Sequence, residues 1–148
     1  MFTDGAAKGN PGPGGYGVVL KYGQHRKELT AGYRRTTNNR MELLAVIAGL
    51  EALTKDGLDV IIYSDSKYVV DAVTKGWLWE WERKQFKNKK NPDLWKRFIP
   101  QFKRQRVKFK WVKGHAGIAE NERCDKLAVT SAEGTDLLTD SGFEHSIL

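Results

Sequence analysis

The chain has 148 residues, of which 40% are hydrophobic and 29% charged, and its formal net charge is +7. This length suits one domain with its own core, and this composition excludes a chain that is disordered throughout. The single cysteine, Cys124, excludes an intramolecular disulfide and a cysteine-based zinc site. No signal peptide or membrane-spanning run is visible. We therefore expect a soluble, cytoplasmic protein.

The first half of the chain alternates turn signals with apolar runs. A short first strand ends before Gly5, the Gly- and Pro-rich residues 9–15 predict a loop, and two further strands are predicted at 16–20 and 26–33. N-cap residue types at 36–39 precede a helix that ends at Gly57. A buried-type strand follows at 60–63, and residues 64–66 cap the next helix.

The second half of the chain predicts helices at 77–86 and 92–103, a half-buried strand at 107–112 and a last helix at 120–132. The tail, residues 134–148, shows no periodicity and is expected to be flexible. This order predicts an α/β fold with a mixed sheet, antiparallel at first and then parallel through crossovers. Functional groups are expected at the strand ends and the helix starts beyond them.

The positive charge is concentrated in one quarter of the chain. Residues 77–113 hold thirteen Lys or Arg and three acids, whereas the remaining residues have a net charge of −3. A patch of one sign is typical of nucleic-acid binding when the fold gathers it on one face. A solvated surface without a partner is the alternative.

Four acidic residues stand at predicted strand ends or on helices: Asp4, Glu42, Asp65 and Asp125. Each alone fits a capping or solvated residue. Clustered carboxylates repel one another unless divalent cations bind between them, and oxygen ligands suit Mg²⁺ or Mn²⁺. Two such ions can stabilise the attacking and leaving oxygens of a phosphoryl displacement. Together with a basic patch, such a cluster indicates a nuclease or a related phosphodiester enzyme.

The chain also resembles a known family. The motifs that carry this resemblance are Thr3-Asp4-Gly5 with Gly9-Asn10-Pro11-Gly12, Thr37-Asn38-Asn39-Arg40-Met41-Glu42-Leu43, Tyr63-Ser64-Asp65-Ser66, Trp111-Val112-Lys113-Gly114-His115 and Asn121-Glu122-Arg123-Cys124-Asp125. They resemble type 1 ribonuclease H, most closely the bacterial enzymes. The resemblance implies a ribonuclease H-like fold, a five-stranded mixed sheet flanked by helices on both faces, in a catalytic domain of residues 1–133. It also implies an endonuclease that cleaves the RNA strand of RNA–DNA hybrids without strong sequence specificity, leaving 5′-phosphate and 3′-hydroxyl ends.

The resemblance assigns roles in catalysis to five residues. Asp4, Glu42, Asp65 and Asp125 would be the ligands of two Mg²⁺ ions, with Mn²⁺ as a substitute. His115 would assist proton transfer or product departure, because the ordinary pKa of histidine, about 6.5, suits a proton shuttle.

The resemblance also assigns contacts to an RNA–DNA hybrid, the expected partner of a monomeric enzyme. Asn10, Asn38 and Asn39 match amides that detect 2′-hydroxyls, and turn or N-cap roles are their alternative. A pocket for a phosphate of the DNA strand maps to Arg35, Thr37 and Asn91. Lys67 stands where many relatives have Gln, so a 2′-hydroxyl contact is weakened or replaced by a phosphate contact.

Residues 77–103 correspond to the basic handle of the family. Its predicted substrate contacts are Trp77, Trp81, Phe86, Lys87, Lys89 and Lys90. Trp77 and Trp81 also fit helix packing, and we expect one ring face to pack while the other contacts DNA. Trp95 is expected in the core.

Two other functions stay open at this point. The protein could be a non-catalytic hybrid-binding module, but clustered acids bring no advantage to a protein that only binds a polyanion. It could also be another nuclease of the same fold, such as a branched-DNA resolvase, although the asparagines and the handle favour hybrids.

Overall fold

Strand β1, Phe2–Ala7, lies in the middle of a mixed sheet. The computed structural model describes residues 1–113 and 118–147, and within these ranges the sheet has five strands in the order β3-β2-β1-β4-β5. The other strands are β2 Gly12–Tyr22, β3 His25–Thr36, β4 Asp59–Ser64 and β5 Arg106–Trp111. β1 pairs antiparallel with β2 and parallel with β4, which pairs parallel with β5. The predicted mixed sheet is confirmed.

Helices cover both faces of this sheet. They are α1 Asn38–Glu51, α2 Lys67–Thr74, α3 Trp77–Arg83, α4 Pro92–Arg104, α5 Ala119–Ala132 and α6 Ser141–Ser146. α1 packs on β1 and β2 and against α4, while α5 packs on β1, β2 and β3 from the other face. In the described ranges, none of these helices is long and apolar enough to cross a membrane.

The Gly-rich segment enters the sheet earlier than predicted. β2 already begins at Gly12, whereas the sequence pattern predicts a strand only from residue 16. The glycines have a packing reason, because a Cβ at Gly15 or Gly17 would overlap main-chain atoms of α5. Because the strand has no side chains at these two glycines, α5 can lie directly on its backbone.

The hydrophobic core lies between the sheet and helices α1, α2 and α4. Trp95 is fully buried there, as predicted, and its ring contacts those of Tyr68, Trp81 and Phe98 at centroid distances of 5.6, 5.8 and 5.6 Å. The indole N–H of Trp95 donates to the Tyr68 hydroxyl at 2.9 Å, so its polar group is satisfied inside the core. The contact with Tyr68 of α2 joins the handle to the body of the protein.

Residues 134–147 lie against the outer strand β3. The main-chain N–H of Leu138 donates to the Gly32 carbonyl at 2.8 Å, and the Arg34 N–H donates to the Leu138 carbonyl at 2.9 Å. Arg34 also pairs with Glu144 of α6 at 2.8 Å. Periodicity does not reveal these contacts, because only a few residues of the tail face the body.

A buried arginine joins the tail to two other elements. The Arg40 side chain, 3% exposed, donates from Nε to Asp140 at 2.8 Å and from Nη2 to Asp93 at 2.7 Å. Thr36 Oγ1 donates to the same Asp140 carboxylate at 2.7 Å. The start of α1, the start of α4 and the N-cap of α6 thus share one charged network.

Replacing Asp140 by Asn is expected to lower the free energy of unfolding by about 3 kcal/mol, because it leaves a buried guanidinium with incomplete charge compensation. Urea unfolding measures this loss. Asp136→Asn, an exposed change in the same tail, is the matched control and should alter stability by less than about 0.5 kcal/mol. Equal stability of the two variants would show that the network contributes nothing.

Candidate active site

Three of the four predicted acids come together at one end of the sheet. Asp4 belongs to β1, Asp65 directly follows the last residue of β4, and Glu42 lies on α1. Each presents an oxygen within 4.8 Å of the others. Asp4 and Glu42 are 5% and 8% exposed, so two of these carboxylates are largely withdrawn from water. We call Asp4, Glu42 and Asp65 the carboxylate cluster.

Glu42 reaches β1 because α1 packs directly on Gly5. A Cβ at Gly5 would overlap the main chain of Met41 and Glu42. The Gly5 N–H donates both to Asp4 Oδ1, at 2.9 Å, and to Glu42 Oε1. One glycine thus brings two carboxylates together and supplies a hydrogen bond to each.

Asp65 lies in a two-residue link between β4 and α2. On the strand side, the Val112 N–H donates to the Ser64 carbonyl at 2.9 Å and so extends the β4–β5 ladder. On the helix side, Ser66 is the N-cap of α2 and accepts from the Val69 N–H at 3.2 Å. The Ser66 N–H itself donates to Ser64 Oγ at 3.1 Å. The chain on both sides of Asp65 is therefore fixed.

The electrostatics of the carboxylate cluster favour a cation. Burial raises the pKa of Glu42 well above its ordinary value, and the negative charges of Asp4 and Asp65 raise it further. A divalent cation would relieve this repulsion, and a donor set of carboxylate oxygens fits a hard ion such as Mg²⁺ or Mn²⁺. The residues present therefore fit the metal that the resemblance implies.

Of the other two predicted catalytic residues, the structure describes only Asp125. Asp125 is a half-buried residue of α5 and is not among the three residues within 4.8 Å of one another. Its neighbour Cys124 donates from Sγ to the Phe2 carbonyl at 3.3 Å, so α5 contacts β1 two residues before Asp4. His115 lies outside the described residues. Their roles stay predictions.

The predicted 2′-hydroxyl contacts gather beside the cluster. The Ala7 N–H donates to Asn38 Oδ1 at 2.6 Å, and the Asn38 N–H donates to Asn10 Oδ1 at 3.2 Å. These bonds tie the Gly-rich loop to the start of α1. Asn10, Asn38 and Asn39 are all exposed, so their amides are accessible to a ligand.

Two residues of the predicted phosphate pocket meet at Arg40. Thr37 is the N-cap of α1 and accepts from the Arg40 N–H at 3.2 Å. Asn91 is the N-cap of α4, accepts from Arg40 Nη1 at 3.2 Å and donates to the Tyr68 hydroxyl at 3.0 Å. Arg35, the third member, is exposed. The buried Arg40 is a link that the sequence pattern does not indicate.

The handle presents its aromatic residues unequally. Trp77 is 46% exposed, and the half-buried Trp81 packs edge-on against Trp95. Lys89 Nζ lies 5.2 Å from the centroid of the Trp81 ring. Phe86 is only 6% exposed and packs in the core, which leaves little of its ring for a ligand. Lys87, Lys89 and Lys90 are exposed.

A further contact beside Asp65 was not predicted. The indole N–H of Trp111 donates to the Asp65 carbonyl at 3.2 Å, and Lys67 Nζ lies 4.9 Å from the centroid of the Trp111 ring. The alternation of β5 puts Trp111 on the same face as Phe109 but does not show that the strand ends there. Trp111 is the last residue of this strand, and its side chain is 44% exposed.

The chain is similar to known proteins in both sequence and fold. The family model for RNase H matches residues 1–133. Ribonuclease H of Desulforamulus reducens is 58% identical over 145 residues, covering 95% of this chain and 91% of that protein. Ribonuclease H of Syntrophus aciditrophicus is 54% identical over 148 residues, covering 97% and 85%. The crystal structure of LC9-RNase H1, a type 1 RNase H with the type 2 active-site motif, matches with a TM-score of 0.78 and 32% identity, covering 98% of this chain and 79% of that one.

In metal-free protein, Glu42→Gln is expected to raise the free energy of unfolding at pH 8. Because burial, Asp4 and Asp65 raise the pKa of Glu42, the wild-type protein loses stability as the pH rises above the pKa of an unfolded glutamate. A neutral amide has no such loss, so the advantage of the variant should vanish near pH 4, where the carboxyl group is protonated in both states.

Urea unfolding in EDTA between pH 4 and pH 8 tests this pH dependence. Glu82→Gln, at an exposed position of the handle, should follow the wild-type protein throughout. A Glu42→Gln variant that is less stable than the wild-type protein at pH 8 would refute the electrostatic interpretation.

Proposed function

Because this chain belongs to the ribonuclease H family, we propose that it hydrolyses the RNA strand of RNA–DNA hybrids as an endonuclease. The family assignment makes the protein a nuclease. The observation that carries the proposal is the carboxylate cluster, whose three oxygens lie within 4.8 Å of one another. In a protein that only binds a polyanion, such a cluster would weaken the binding, because unneutralised carboxylates repel phosphates.

Asp4, Glu42 and Asp65, together with Asp125, would hold two Mg²⁺ ions, with Mn²⁺ as a substitute. When bound, these ions supply the Lewis acidity that lowers the pKa of water and neutralises the charge developing on the phosphodiester. The Gly5 N–H holds Asp4 and Glu42 in place by hydrogen bonds, so their orientation does not depend on the ions alone. His115 would assist proton transfer or product departure.

Selectivity for RNA would come from the exposed amides beside the cluster. Asn10, Asn38 and Asn39 can both donate to and accept from a 2′-hydroxyl, which DNA lacks. In this proposal the 2′-hydroxyl is recognised and water is the nucleophile. The water oxygen bonds to the phosphorus while the bond from phosphorus to the 3′-oxygen breaks, and the proton lost by the water is balanced by the one taken up by the 3′-oxygen, so the products carry 5′-phosphate and 3′-hydroxyl ends.

The DNA strand would lie along the pocket at the start of α1 and along the handle. Arg35, Thr37 and Asn91 would bind one phosphate and set the register without reading sequence. Trp77 offers an exposed ring to the sugars, and the lysines of the handle offer charge to the phosphates. Together these contacts give affinity with little sequence specificity.

Asp65→Asn is expected to lower the rate of hybrid cleavage by about 100-fold or more, because even residues that only orient metal ligands cost 10–100-fold when they are changed. The assay uses a hybrid labelled on the RNA strand, with Mg²⁺ or Mn²⁺ and analysis of the product ends. Asp136→Asn is the matched control at an exposed site.

Activity of Asp65→Asn within about tenfold of the wild-type enzyme would contradict the ligand assignment. EDTA should abolish cleavage while hybrid binding survives. Cleavage of DNA duplexes or junctions at a comparable rate would favour a resolvase instead.

Changing Lys87, Lys89 and Lys90 together to Gln is expected to raise KM and to change kcat by less than about twofold. Each lost phosphate contact should reduce the slope of log affinity against log salt by about one. KM measured over a salt series reports both effects. The matched control changes Lys21, Lys27 and Lys55, which are exposed outside the handle. A large fall in kcat with an unchanged salt slope would contradict this role.

A further inference from the structure

We propose that Trp111 is a positioning residue that fixes the main chain of Asp65 and thereby strengthens divalent-cation binding by the carboxylate cluster. This inference rests on the proposed function, since it concerns the same cations. Neither the exposure of Trp111 nor its place at the end of a strand indicates this positioning role.

The contact itself joins β5 to the residue that follows β4. Trp111 is the last residue of β5 and stands opposite Ser64 in the parallel ladder. Its indole N–H reaches past this partner and donates to the carbonyl of Asp65 at 3.2 Å. The ladder thus ends with a side-chain bond placed one residue beyond its last strand pair.

A second contact orients the indole ring. Lys67 opens α2, and its ammonium lies 4.9 Å from the centroid of the Trp111 ring. A cation at this distance is attracted to the ring face and limits rotation of the side chain. Because Lys67 follows Asp65 by two residues, the same tryptophan holds the chain on both sides of Ser66.

Trp77 shows what is particular about Trp111. It has a similar exposure, 46% against 44%, and its ring also lies near a lysine, with Lys75 Nζ 5.2 Å from the centroid. In the part of the chain that the structure describes, however, the Trp77 indole donates no hydrogen bond. Of the features compared, the bond to Asp65 is the one that Trp77 lacks.

Cation affinity depends on how much a ligand must be ordered when the ion binds. Asp65 lies in a two-residue link, and rotation about its own backbone would swing its carboxylate away from Asp4 and Glu42. The Asp65–Ser66 peptide group is held at both ends, because its carbonyl accepts from Trp111 and its N–H donates to Ser64 Oγ. Partners of this kind commonly change metal affinity by 10–100-fold.

The test is Trp111→Phe, which keeps an aromatic ring near Lys67 and removes the indole N–H. Isothermal titration calorimetry of the substrate-free protein with MnCl₂ or MgCl₂ should show about tenfold weaker binding than for the wild-type protein. Trp77→Phe should bind the ions as the wild-type protein does. Thermal unfolding in EDTA is measured for all three proteins, and KM for the hybrid is measured for the wild-type protein and Trp111→Phe.

Each other outcome has a definite meaning. Unchanged ion affinity in Trp111→Phe overturns the inference. If the variant is then only less stable, Trp111 serves in packing. If it has only a higher KM, Trp111 contacts the substrate directly. If the wild-type protein binds neither ion, the proposed function fails and the inference fails with it. If the wild-type protein binds ions and Trp111→Phe binds them equally well, only the inference fails.

Discussion

The close packing of α1 on the main chain of β1 at Gly5 is the contact on which the rest of the site depends. Asp4 precedes this glycine, and the helix that rests on it carries Glu42. Any side chain at position 5 would overlap the helix backbone and separate the two carboxylates. The same peptide group donates to both acids, which offsets part of the cost of burying them. The close approach of the two backbones therefore positions the carboxylates more precisely than longer, more flexible side chains would.

The opposite face of the sheet uses the same device on a larger scale. Gly15 and Gly17 of β2 and Gly32 of β3 lie against the main chain of α5, where a Cβ would overlap helix atoms. Two helices thus approach the sheet closely from opposite sides. Gly17 pairs with Asp4 in the β1–β2 ladder, so the helix that carries Asp125 rests beside the first carboxylate. Side chains from strand and helix can then approach each other without being long and flexible.

The sequence predicts the sheet, helices α1 to α5 and the grouping of Asp4, Glu42 and Asp65, because strand ends and helix starts follow from local patterns, whereas it does not predict α6. It does not predict contacts between segments far apart in the chain. Nothing near Arg40 indicates that its partners are Asp93 and Asp140, and nothing near Trp111 indicates the carbonyl of Asp65. Phe86 has a similar explanation. An aromatic residue in a basic stretch favours ligand contact, but the Phe86 ring is only 6% exposed and packs in the core.

The Arg40 network also constrains the order in which parts of the protein can fold. Arg40 leaves the ribosome 100 residues before Asp140, the carboxylate that shares its burial. Until that segment emerges, the guanidinium has to stay hydrated or pair with Asp93 alone, so the start of α1 cannot reach its final burial. The turn that carries Thr37, Asn38 and Asn39 therefore gains its full support only when the tail docks, although it lies in the first third of the chain. Its folding is thus coupled to a contact of high sequence separation, and such contacts form slowly.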